Sequence, residues 1–142
     1  MGIKKSLINK LQVAQNSAVR LIERVGKHEH ISEYRKRLHW LPIPARIEFK
    51  LLSTTWKALN KQAPSYITNL LNKRIPVMNL RITNKLILDI PENNRTNGYA
   101  DRAFSRSAPS LWNKLPYEVK MADTLGKFKK GLKTYLFNKY YD

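Results

Sequence analysis

The chain contains no cysteine. Disulfides, thiol chemistry and cysteine-bearing zinc sites are thereby excluded. Acidic residues are also scarce: ten Asp and Glu stand against 27 Lys and Arg, a formal charge of +17. No two of the four Asp are adjacent, so nothing resembles the clustered carboxylates that clamp two metal ions for nucleotide polymerisation. With only five Gly there is no glycine-rich phosphate loop, and neither a Walker motif nor His-Glu-x-x-His occurs. His28 and His30 flank Glu29 in a loop, without the Cys or the i,i+4 His that a zinc site would add. No apolar run approaches the roughly 20 residues that span a bilayer, and no apolar signal core follows Lys4 and Lys5. These absences describe a chain without catalytic residues, metal or cofactor. The expected location is intracellular, nuclear or cytoplasmic, neither secreted nor transmembrane.

What is present is a patterned 142-residue chain, 42% hydrophobic. That length suits a single module, 1–142, able to bury roughly 68–70% of its unfolded surface. The expected fold is mainly α, with helices at about 3–25, 32–38, 45–59, 65–71, 109–115 and 124–140. The segment His39–Leu71 organises the rest. Pro44 belongs in the first turn of a helix, where its missing N–H costs nothing. Beyond it, Ile47, Leu51 and Ala58 line one side and Phe49, Leu52, Trp56 and Leu59 the next, a stripe wide enough for more than one neighbour. Asn60 is the expected left-handed cap and Pro64 prevents continuation. Ser65 then opens a short helix.

In the first helix, Leu7, Leu11, Ala14, Ala18, Leu21 and Val25 recur at spacings of four and three, which marks them as the buried stripe, and Gly26 is the expected stop. Ser32 is placed to cap the second helix. Trp40, between apolar neighbours, is expected to pack against the central helix rather than to stack on a base. After Leu71 the helical period fades. Leu86, Leu88 and Ile90 alternate, Asn97-Gly98 reads as a turn, and Tyr99–Phe104 can return to form a short β-hairpin around residues 85–104. Pro109 opens a helical turn that Pro116 ends. Thr124 caps the last helix, where Phe128, Leu132, Tyr135 and Leu136 share a side.

The excess positive charge is the strongest compositional signal, and a polyanion is its natural complement. It concentrates at the two ends. Lys4, Lys5, Lys10, Arg20 and Arg24 lie beside the first helix's apolar stripe; Arg35, Lys36 and Arg37 form the densest cluster; Lys127, Lys129, Lys130 and Lys133 lie on the last helix. These are the candidate nucleic-acid-binding residues, with counterion release on the phosphate backbone as the source of affinity. Two readings of the first helix stand level: a core-packing helix with a solvated basic face, or a basic face laid along phosphates. The runner-up for the whole chain is a structural module that docks on a polymerase core or another protein. Membrane association is not expected.

Several motifs occur together and in order: Leu11-Gln12-x-x-Gln15-Asn16-x-Ala18-x-Arg20-Leu21-Ile22, His39-Trp40-Leu41-Pro42, Arg46-Ile47-x-Phe49-Lys50, Ala63-Pro64-x-Tyr66, Asp101-Arg102-Ala103-Phe104-Ser105, Ala108-Pro109-x-Leu111-Trp112-Asn113-x-Leu115-Pro116, and Phe128-Lys129 with Leu132-Lys133-Thr134-Tyr135-Leu136-Phe137. Over roughly residues 7–138 the chain resembles the C-terminal region of non-LTR (LINE-type) retrotransposon reverse transcriptases, nearest the CR1/L2/jockey-like group. The resemblance implies a region downstream of the polymerase core that helps hold template RNA or an RNA–DNA duplex, with a reverse-transcriptase core as a further partner. The Tyr-x-Asp-Asp motif of the polymerase palm is missing, since Tyr99-Ala100-Asp101 continues with Arg102. The resemblance therefore implies no catalysis by this chain itself.

Overall fold

Pro42 and Pro44 stiffen the start of the helix against which most of the others pack. A computed structural model describes residues 4–74, 86–91 and 103–142, and it is mainly helical. In chain order the helices are α1 (Lys5–Glu23), α2 (Ile31–Arg37), α3 (Ile43–Leu59), α4 (Ser65–Thr68), α5 (Phe104–Asn113), α6 (Tyr117–Lys120) and α7 (Leu125–Tyr141). Helix α3 packs on α7, α5, α1 and α4. Its wide stripe explains this: Ala45, Leu52, Trp56 and Ala58 are all buried, with Phe49 and Leu59 packed at the margin.

The core is centred on three stacked rings. Phe128 of α7 lies between Trp56 of α3 (5.8 Å between ring centroids) and Trp112 of α5 (5.9 Å). Leu41, Leu52, Leu88, Leu115, Leu132 and Leu136 close around them. Burying an indole requires a partner for its N–H. Trp56 Nε1 donates to the carbonyl of Ala122 at 3.3 Å, and Trp112 Nε1 to that of Leu86 at 2.9 Å. The rings thus fix two non-helical segments as well as three helices.

Leu86–Pro91 is held along α5 by a side chain that imitates a strand. Asn113 Oδ1 accepts from Leu88 N–H and Asn113 Nδ2 donates to Leu88 C=O, both at 2.9 Å. On its other edge Leu88 forms an isolated antiparallel bridge with Lys73. The expected hairpin is therefore corrected: Leu88 pairs with Lys73, Phe104 begins α5, and residues 99–102 lie outside the described residues.

Helix α1 departs furthest from expectation. Its buried residues are Gln15 and Val19, whereas Leu7, Leu11, Ala14, Ala18 and Leu21 are exposed. The side turned to the domain is an amide ladder. Gln12 Nε2 donates to Gln15 Oε1 and Asn16 Oδ1, both at 2.9 Å. Gln15 Nε2 donates to the carbonyl of Leu41 at 2.8 Å, and Gln12 Oε1 accepts from the N–H of Ile43 at 2.9 Å. Helix α3 has no side-chain cap of its own, so Gln12 supplies from α1 the acceptor that a helix N-terminus needs. Apolar periodicity identified the helix and misassigned its inner face, because polar groups here satisfy an otherwise orphaned terminus.

Smaller corrections concern the helix ends. Arg24 takes the left-handed conformation (φ 53°) expected of Gly26, and Lys61 (φ 57°) the one expected of Asn60. Ser32 lies inside α2 rather than capping it. Pro109 is buried within α5 instead of opening it; its missing N–H leaves the Ser105 carbonyl without its usual helical donor. The segment expected to be a plain connector contains α6, whose Lys120 is buried and donates to the Asn113 carbonyl at 3.3 Å. A cation there complements the C-terminal end of α5. Thr124 caps α7 as expected, its hydroxyl accepting from Lys127 N–H at 3.3 Å. No helix among the described residues is long and apolar enough to cross a membrane.

Packing of this kind separates neighbouring positions sharply. Leu52→Ala is expected to cost about 2–5 kcal/mol and Phe128→Ala about 3–5 kcal/mol. Leu51, only partly buried, should cost clearly less on the same change, and Lys50→Ala about 0.5 kcal/mol or less. Urea denaturation of the four variants checks the order; equal losses at Leu51 and Leu52 would contradict the buried face assigned to α3.

Candidate nucleic-acid interface

Twelve basic residues were singled out by the sequence, and the fold uses them in different ways. Arg20 closes the end of α1, its Nε and Nη2 donating to the carbonyls of Gly26 and Lys27, each at 3.3 Å. Arg35 turns inward: Nη1 donates to Asn16 Oδ1 at 3.2 Å and Nη2 to Ser32 Oγ at 3.3 Å. Each guanidinium is thus committed in part within the fold, with two of its five N–H donors engaged. Arg37 pairs with Glu23 and lies over the ring of Tyr34 at 5.1 Å. Lys36 Nζ is 3.9 Å from Asp142, and Lys127 Nζ is 2.8 Å from Asp123. The pairing with Lys127 holds the exposed Asp123 carboxyl below its ordinary range.

Lys4, Lys5, Lys10, Arg24, Lys129, Lys130 and Lys133 are exposed and make no ion pair among the described residues. Two of them stand beside aromatic surface. His39 stacks on Phe137 of α7, with ring centroids 5.6 Å apart and planes 20° from parallel. Phe137 contacts Tyr141 in turn at 4.8 Å. On one side of the His39–Phe137 pair a concavity of about 290 Å³ is lined by Lys130, Lys133, Thr134 and Asn138. On the other side a larger hollow of about 690 Å³ carries Lys36, Arg37 and Tyr34, together with Glu29 and Glu33. The cluster after α1 and the cluster on α7, almost 100 residues apart in sequence, thus meet at one pair of rings.

Local backbone geometry sets this pair. His39 has φ 53°, a left-handed value uncommon for a residue with a Cβ. Its N–H donates to the Lys36 carbonyl at 3.0 Å, and Nδ1 lies 3.2 Å from the Arg37 carbonyl. A carbonyl can only accept, so the imidazole proton belongs on Nδ1. Trp40, next in sequence, lies against α3 as expected, with the Arg46 guanidinium over its ring at 5.7 Å. Its carbonyl accepts from the Tyr141 hydroxyl, tying the end of α7 to the loop that presents His39.

A second tie beneath the surface was not legible in the sequence. Glu48 of α3 is buried, and its carboxylate accepts from Lys139 Nζ at 2.8 Å and Tyr140 OH at 2.9 Å. Tyr140 is pushed far above the ordinary phenol range, first by burial and then by its hydrogen bond to Glu48 and the charge there. Burial also raises Tyr141. A single Glu in an apolar stripe carries no periodic signal of its own; the only clue was its place on the inner side of α3. Among the described residues no three His, Cys, Asp or Glu converge to hold a metal ion. No family model, no curated protein and no solved structure matches the chain.

The Tyr140 shift has a definite sign. Its folded-state pKa lies above the unfolded value, so its contribution is fully present below about pH 10 and is lost as pH rises toward the folded-state value. The stability of the wild type should therefore fall more steeply above that pH than the stability of Tyr140→Phe. Chemical denaturation at stepped alkaline pH measures both slopes, and parallel slopes would remove Tyr140 from the account.

Proposed function

We propose that this chain is a basic nucleic-acid-binding module, akin to the C-terminal region of a LINE-type reverse transcriptase. It holds RNA or an RNA–DNA duplex through the phosphate backbone and performs no chemistry of its own. The observation that carries this reading is the junction at His39 and Phe137, where unpaired Lys130 and Lys133 flank the exposed His39 ring stacked on half-buried Phe137. A strand tracking such a groove gains from neutralised phosphates, and an unpaired base gains from a flat ring to stack on. Neither interaction reads base identity, so binding is tolerant of sequence. Lys129 extends the cationic row along α7, while Lys36 and Arg37 continue it on α2 at the expense of their carboxylate partners.

Arg20 and Arg35 rank behind the free lysines on this reading, because their guanidinium groups are partly engaged within the fold. Lys127 is half neutralised by Asp123. Lys4, Lys5, Lys10 and Arg24 add to the general field that attracts a polyanion rather than to the junction itself.

Binding to a structured RNA should weaken with salt by a log–log slope of roughly −0.7 to −0.9 per neutralised phosphate. Replacing Lys129, Lys130 and Lys133 together by Ala should flatten that slope by about two to three such increments and leave the melting temperature near wild type. His39→Ala should cost about 1–3 kcal/mol on a single-stranded RNA and much less on a blunt duplex. Arg35→Ala should act differently, lowering stability more than it changes the slope. Fluorescence anisotropy across a salt series, with thermal melts of the three variants, checks these outcomes, and a wild-type slope near zero would refute the proposal.

A further inference from the structure

Helix α1 carries a row of apolar side chains that the fold leaves uncovered. Leu7, Leu11, Ala14, Ala18 and Leu21 follow the four-three spacing of a heptad seam, and all five are exposed, Leu11 at 51% and Leu21 at 81%. In that register Ile8, Gln15 and Ile22 lie on the edge nearer the domain. Lys10, Ser17 and Arg24 lie on the open edge. Ile8 and Ile22 widen the stripe toward the domain, and its uncovered part keeps the four-three spacing of a helix–helix seam.

Shape and charge narrow the occupant. Ala14 and Ala18 sit between the leucines, so the middle of the row is a shallow recess against which another helix can come close. The only acid of α1, Glu23, is engaged by Arg37, and Lys4, Lys5, Lys10 and Arg24 have no ion-pair partner among the described residues. The open border of the seam is therefore positive at Lys10 and Arg24, with no free acid of α1 to balance them. A second copy fits poorly: an antiparallel pairing sets Lys10 against Arg24 of the other molecule, between chains that each carry +17. Phosphates gain nothing from buried leucines. A lipid surface gains little from a face whose centre is alanine and which has no aromatic anchor.

We propose that α1 docks an amphipathic helix of a protein partner, one with an aliphatic seam bordered by Glu and Asp. Docking buries Leu7, Leu11 and Leu21 and places acidic side chains opposite Lys10 and Arg24. This surface shares no residue with the His39–Phe137 junction, so the module has separate faces for nucleic acid and for a protein helix.

The test uses the full chain and two labelled helical peptides of about three heptads. Both carry Leu and Ala in the seam; one has Glu at the flanking positions and the other Lys. The Glu peptide is expected to bind saturably and the Lys peptide not. In the chain, Leu11→Gln with Leu21→Gln should weaken the Glu peptide about tenfold or more, since two leucines lose their burial. That variant removes no charge and touches no core residue, so its melting temperature and its affinity for RNA should match wild type. Failure of the Glu peptide to bind, equal binding of both peptides, or binding undiminished in the double variant would each overturn the proposal. So would a chain dimer that the double variant dissolves, or pelleting with phosphatidylserine vesicles that it abolishes, since these assign the seam to a second copy or to a membrane. A change in RNA affinity alone bears on the nucleic-acid reading and leaves the peptide result to decide this one.

Discussion

Three aromatic rings in a row hold this fold together, and they do so because each indole nitrogen has somewhere to go. Trp56 and Trp112 flank Phe128, and their N–H groups reach the carbonyls of Ala122 and Leu86. Without those acceptors each ring would bring an unsatisfied donor into the core, at a cost comparable to what its packing contributes. With them, the same side chains that join α3, α5 and α7 also fix the two irregular segments that lie beside the core. Leu88, reached on one edge by Asn113 and on the other by Lys73, then fills the space beside Trp112. Backbone without secondary structure is affordable there because side chains replace the missing ladder.

Scarcity of acid shapes the surface as much as abundance of base. Glu23, Glu48, Asp123 and Asp142 each answer a cation within the molecule. Only the Glu48 pair is substantially withdrawn from water; exposed pairs such as Lys127–Asp123 contribute little to stability. Their larger effect is on the pattern of the field. By neutralising Arg37, Lys36 and Lys127 in part, they leave the middle of α7 as the least compensated stretch next to an aromatic surface. Position of the acids, more than number of bases, decides where a polyanion is most strongly attracted.

Much of the fold was legible from periodicity and punctuation. Pro44, Pro64, Pro116 and Thr124 each mark a real boundary, and the wide stripe of α3 correctly announced a helix with several neighbours. What failed did so for physical reasons. The left-handed conformation falls at Arg24 and Lys61 instead of at the Gly and Asn nearby that adopt it most cheaply. Leu88 found its partner at Lys73, a pairing that no local alternation encodes. Helix α6 is too short for any period to reveal. At the candidate interface, basic clusters were easy to see, but the inward turn of Arg20 and Arg35 depends on carbonyls and an amide brought close only by folding. The His39–Phe137 stack is likewise a tertiary contact. The apolar stripe of α1 was read correctly as a stripe and wrongly as interior, since the 3.6-residue period says which residues share a face and not what that face meets.

Because α1 is fastened mainly by directional hydrogen bonds, its attachment has a different thermal character from that of the core. Gln12 and Gln15 bind the backbone at Ile43 and Leu41, yet Val19 is the one fully buried apolar side chain that the helix contributes. Little hydrophobic area is lost when such a helix lifts away, so its opening carries a small heat-capacity change and a small denaturant dependence. Hydrogen exchange would then divide the molecule into two tiers. Amides of α1 exchange through a shallow, nearly denaturant-independent opening, while those of α3 and α7 wait for global unfolding. The chain is in this sense a helical core wearing a detachable first helix, whose release uncovers the N-terminus of α3.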